Sequence, residues 1–80
     1  MPVVFRSEGL RFFFYSDEGT PREPPHIHVR QGGREAKLWL RRDLAEAYNR
    51  GFNARELRHI RALIEAHREQ IETTWNEFFD

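Results

Sequence analysis

Two periodicities divide the chain. Up to about residue 40, apolar and polar residues alternate or gather in short β-branched and aromatic blocks, as strands do; from Asn53 onward apolar residues recur three and four apart, as in a helix. Val3–Arg6 and Leu10–Tyr15, rich in Val and Phe and broken at Glu8-Gly9, predict a first hairpin. A two-residue turn there pairs Phe5 with Phe12 and Val3 with Phe14 on one apolar face. It also sets Arg6 opposite Arg11, which is unfavourable unless an anion lies nearby. The following "SDEGTPREPP", with Gly and three prolines, predicts a loop.

Gly32-Gly33 predicts a second hairpin, and here the register checks itself. It pairs Arg30 with Glu35, Val29 with Ala36, His28 with Lys37, Ile27 with Leu38 and His26 with Trp39. Ile27, Val29, Ala36 and Leu38 then share one face, and His26, His28, Arg30, Glu35, Lys37 and Trp39 the other. Further on, Asp43 as cap and Gly51 as stop predict a short helix over "DLAEAYNR". Asn53 with Glu56 makes a capping box, with Phe52 and Leu57 as a hydrophobic staple, and opens a long helix over Ala54–Phe79. Its apolar stripe is Leu57, Ile60, Leu63, Ile64, Ile71, Trp75 and Phe78, interrupted by His67 and Thr74. The predicted fold is α+β: an antiparallel sheet of about four strands, then a short helix and a long C-terminal helix laid on the apolar face. A straight helix of that length spans roughly 39 Å against roughly 20 Å for the strands. Its overhanging end predicts an intermolecular contact through Ile71, Trp75 and Phe78, with a second copy of the chain or a partner protein; burial on the sheet's lower edge is the alternative.

Composition narrows the class. At 80 residues the chain is one expected domain, 1–80, with no cysteine to staple it. No apolar run approaches a membrane span, and "MPVVFRSEG" has no signal-peptide pattern, so a cytoplasmic protein without membrane contact is expected. The formal net charge is zero, which excludes a global field gathering nucleic acid. Yet 12 of the 13 basic residues are Arg, the residue that forks onto phosphate and carboxylate.

The candidate chemistry is the His-x-His of "PPHIHV". Strand residues two apart point the same way, so His26 and His28 stand together on the polar face. As acid and base they supply what a metal-independent ribonuclease needs, because RNA brings its own 2′-hydroxyl nucleophile. Arg11, Arg30 and Lys37 are the candidate phosphate contacts; Tyr15 and Trp39, on the same face, are candidates to stack unpaired bases. A second reading gives the pair a metal, with Glu35 as third ligand, but Arg30 lies across from Glu35 to claim it. A third makes the histidines ordinary surface residues of a non-enzymatic module that binds nucleic acid or protein. No metal or cofactor is expected.

The ordered set "RFFFYSDE", "PPHIHV", "AKLWL", "GFNARELRHI" and "WNEFF" resembles the bacterial domain of unknown function 4160 family over nearly the whole chain. The loop before "PPHIHV" is longer than the family's short connection. The resemblance implies a toxin component of a toxin–antitoxin pair, its antitoxin partner resembling the domain of unknown function 2442 family. It supplies no reaction.

Overall fold

The hairpin around Gly32-Gly33 sets the frame. In the computed structural model, which describes residues 2–16 and 23–79, β3 (His26–Gln31) and β4 (Arg34–Trp39) pair antiparallel with each of the five expected partners opposed, from His26–Trp39 to Arg30–Glu35. β1 (Val3–Ser7) and β2 (Leu10–Phe13) continue the sheet beside β3. Phe5 faces Phe12 and Arg6 faces Arg11 as expected, but a bulge between Val3 and Phe5 sets Val3 opposite Phe13 instead of Phe14. The β1–β2 turn has both central residues in the left-handed region, Glu8 at φ 54° and Gly9 at φ 78°, the conformation that matches strand twist in a two-residue hairpin. Of the expected loop at 16–25, residues 17–22 lie outside the described residues.

Two expected elements are corrected. The segment read as a short helix is a fifth strand, β5 (Glu46–Arg50), and the sheet is a meander in the order β1-β2-β3-β4-β5. Asp43 resembled a helix cap because its Oδ1 does accept a backbone N–H, that of Ala45 at 3.2 Å. It closes only a local Asx turn. Leu44 follows at φ 48°, buried to 3% exposure, which ends any helix there and drives the side chain into the core. β5 then covers the open edge of β4, and pairing that edge outweighs the helix propensity of "AEA". Gly51 ends the strand at φ 107°, where a Cβ would come within 2.8 Å of the Arg34 side chain.

The long helix is two helices, α1 (Ala54–Ala66) and α2 (Arg68–Phe79), with His67 between them. The capping box forms as expected: Asn53 Oδ1 accepts from Glu56 N at 2.8 Å and Glu56 Oε1 from Asn53 N at 2.9 Å. At the junction His67 leaves helical geometry at φ −113°, ψ 14°. Its Nδ1 donates to the Leu63 carbonyl at 2.9 Å and its ring stacks on Phe5 with centroids 3.9 Å apart. The residue that interrupted the apolar stripe is therefore a stripe residue, and the bend follows its ring onto β1. A straight helix of roughly 39 Å would also exceed the molecule's longest extent of 34 Å.

The bend removes the overhang. Ile71 and Trp75, expected at an interface, lie in the chain's own core at 0% and 3% exposure, packed with Phe12, Phe14, Ile27, Val29, Leu38, Ile60 and Ile64. Trp75 meets the Phe14 ring edge-on at 5.2 Å. Of the three expected interface residues only Phe78, at 40%, stands in solvent. Trp75→Ala is therefore expected to lower unfolding free energy by roughly 3–5 kcal/mol and Phe78→Ala by no more than about 0.5 kcal/mol, measured by urea denaturation of the isolated chain. Equal losses would place Trp75 outside the core.

Candidate functional site

The face of the sheet opposite Ile27 and Val29 carries three transverse rows, one residue per strand. Phe13, His28, Lys37 and Tyr48 form the middle row across β2 to β5. His26 and Trp39 lie in the row toward the start of β3, on the side from which Tyr15 approaches. Arg6, Arg11, Arg30, Glu35 and Arg50 form the row at the other end. The alternation of the strands puts all of them on one side.

The expected polar face is thus present, but it is not open. His26 is 0% exposed, His28 2% and Phe13 0%. The histidine rings sit edge to face at 5.1 Å, with His28 stacked near Phe13 at 5.5 Å and against the Tyr15 edge at 4.6 Å. His26 meets Trp39 at 5.6 Å and Trp75 at 4.9 Å, and its Nδ1 lies 2.9 Å from the Pro24 carbonyl, to which it donates. Pro24-Pro25 brings that carbonyl to the start of β3, which gives the dipeptide a role beyond stiffness.

Glu35 organises the polar atoms. Its carboxylate accepts from two phenols, Tyr15 at 2.9 Å on one oxygen and Tyr48 at 2.5 Å on the other. Tyr48's oxygen lies 3.1 Å from His28 Nδ1, and that nitrogen is 3.8 Å from Glu35 Oε2. Because the short contact commits the Tyr48 proton to the carboxylate, the Tyr48 oxygen must accept from His28, so the proton of a neutral His28 sits on Nδ1. The order His28–Tyr48–Glu35 is a directed chain across three strands. Burial first, and the adjoining Glu35 carboxylate second, push the Tyr48 hydroxyl's pKa well above the ordinary tyrosine range. The Arg30 expected to claim Glu35 instead donates its Nε to the Gly32 carbonyl at 3.1 Å.

The other expected contacts divide. Lys37 pairs with Glu23 at 2.6 Å and lies 4.6 Å over the Trp39 ring, with Arg41 5.6 Å from the same ring. Trp39 thus has two cations beside its ring, and Tyr15 is held by Glu35. Arg11 and Arg30 lie directly opposite each other, with Arg6 beyond Arg11. Among the described residues none of the three forms an ion pair with a carboxylate. No group of three or more metal-ligating side chains occurs among the described residues either. Reading residues 43–50 as a helix hid Tyr48, and with it the partner of His28. Arg6 was visible in the register, as the like charge facing Arg11.

The Domain of unknown function (DUF4160) family model matches residues 9–76. No curated protein and no solved structure matches the chain. Among the described residues no helix is long and apolar enough to cross a membrane.

The Tyr48 shift has a defined sign. A raised folded pKa favours the proton-bound phenol, so its contribution to stability is complete below the unfolded value of about 10 and declines as pH rises above it. In an alkaline absorbance titration the wild-type minus Tyr48→Phe difference is expected to show no tyrosinate until well above that value. Stability above it should fall less steeply in Tyr48→Phe than in wild type. A Tyr48 that ionises at its ordinary pKa in the folded protein contradicts the buried chain.

Proposed function

The chain belongs to the domain of unknown function 4160 family, and from that premise we propose that it is the RNA-directed component of a toxin–antitoxin pair, acting by binding single-stranded RNA and not by cutting it. The observation that carries this reading is the row Arg6, Arg11, Arg30: three guanidinium groups on adjacent strands, each directly opposite the next, with no carboxylate partner among the described residues. Directly opposed like charges destabilise a sheet, and a phosphate backbone is the ligand that reverses the sign. With a formal net charge of zero, attraction is confined to this local patch. Binding therefore rests on phosphate contacts and not on a long-range field. The antitoxin partner, resembling the domain of unknown function 2442 family, belongs to the same proposal.

A second reading, the metal-independent ribonuclease, is favoured by one observation: the hydrogen-bonded order His28–Tyr48–Glu35, which would hold one imidazole in a fixed tautomer as catalytic relays do. Against it stands the burial of both histidines.

Fluorescence anisotropy with a labelled single-stranded RNA distinguishes the two. Binding is expected, with affinity falling as salt rises, as phosphate contacts require. The Arg6→Ala, Arg30→Ala variant should lose most of both affinity and salt dependence. Cleavage of the same RNA in EDTA, abolished by His28→Ala, would replace the binding reading by the catalytic one. Salt-independent binding, or full binding by the double arginine variant, would overturn the proposal.

A further inference from the structure

At the turn end of β1, β2 and β3 the sheet opens into a cleft of about 880 Å³. Arg6, Arg11 and Arg30 line it, and the Glu8-Gly9 and Gly32 turns form its rim. It lies apart from the buried ring cluster, one row further along the strands.

Three features describe what the cleft would take. The first is an excess of unneutralised positive charge. The one acidic residue in its lining, Glu8, is committed elsewhere, because its carboxylate lies 2.9 Å from His59 Nε2 on α1, across the sheet. The second is an orphan donor. Arg11 Nε is buried and has no hydrogen-bond partner, whereas buried donors in folded proteins are nearly always satisfied. The Phe13 ring, 5.6 Å from its Cζ, flanks the same guanidinium. The third is the fixing of Arg30. Its Nε is spent on the Gly32 carbonyl, which steadies the plane of its fork and leaves the two terminal nitrogens to donate.

A phosphodiester brings one negative charge to such a site. A terminal phosphomonoester brings about 1.5 to 2 and three strong acceptor oxygens, a closer match to three guanidinium groups one strand apart. We propose that this cleft is a subsite for the terminal phosphate of a nucleic-acid strand, gripped by Arg6, Arg11 and Arg30. The inference rests on the RNA-binding reading and adds to it a preference for a phosphorylated end.

The test compares one RNA sequence in three forms: 5′-phosphorylated, 3′-phosphorylated, and hydroxyl at both ends. One phosphorylated form is expected to bind about ten-fold tighter than the hydroxyl form, the factor a single charge-assisted hydrogen bond supplies, and which end wins identifies the source. Arg6→Gln, at an exposed position, should abolish the preference while leaving the fold intact by circular dichroism. Arg11→Lys, which keeps the charge but loses the fork, should weaken it. Equal affinity for all three forms overturns the terminal-phosphate subsite and leaves RNA binding standing. Binding of none overturns RNA binding and the strand-end subsite with it, and inorganic phosphate then tests only whether the three arginines hold a phosphate group at all. A shift of the Arg11 Nε–H resonance on phosphate addition, absent with chloride at equal ionic strength, shows that they do, and no shift that they do not.

Discussion

Four consecutive residues of β3, His26 to Val29, are all buried, although neighbours on a strand point to opposite faces. Both faces of the central strand are therefore closed in a chain of only 80 residues. One is closed by the helices over Ile27 and Val29. The other is closed over two histidines, whose polar atoms must find partners inside the protein or cost about 1–3 kcal/mol each. Most of the second face follows from that demand. Pro24 lends its carbonyl to His26; Tyr48, on the far strand, lends its oxygen to His28; and Glu35 holds the Tyr48 and Tyr15 hydroxyls at once. Without β5 there would be no Tyr48 in place, so the edge strand is as much a requirement of His28 as it is a cover for β4.

The closed middle of this face and the open end of it differ in kind. In the middle, donors and acceptors are matched and rings fill the space. Toward the turns, charges accumulate without matching: Arg6, Arg11 and Arg30 stand abreast, and one buried N–H of Arg11 is unmet. A protein free to optimise stability would not keep that arrangement, and unmatched charge of this kind is more often kept for a ligand. The turn beneath it is held firmly. Glu8 sits at φ 54°, with its carbonyl accepting from Gln31 Nε2 at 3.3 Å and its carboxylate on His59 at 2.9 Å. The rim of the cleft is thereby tied to α1 and to β3, and both ties run through side chains that need no ligand.

Much of this was legible in the residue pattern, for particular reasons. The Gly32-Gly33 hairpin could be read to the residue because an error of one would have turned Ala36 and Leu38 to the face opposite Ile27 and Val29. The capping box at Asn53 and Glu56 is local chemistry, complete within four residues. The α+β class followed from the change of period. What escaped depended on contacts distant in sequence. Asp43 and Gly51 look like helix ends until the open edge of β4 is in view, and then the same residues bound a strand. His67 looks like an interruption until Phe5 is placed under it. The polar face was identified correctly as a set of residues and wrongly as a surface, since alternation tells which residues share a side but not whether that side is covered. The register named the clash of Arg6 with Arg11, and the sheet keeps it.

His28, 2% exposed, stands at the head of the directed hydrogen-bond order His28–Tyr48–Glu35. Two-bond nitrogen–proton correlation spectra of the histidine side chains test this most directly. The chain His28–Tyr48–Glu35 requires the Nδ1–H tautomer of neutral His28 as a single species. Finding the Nε2–H tautomer, or an exchange-averaged mixture already in the wild type, would contradict it.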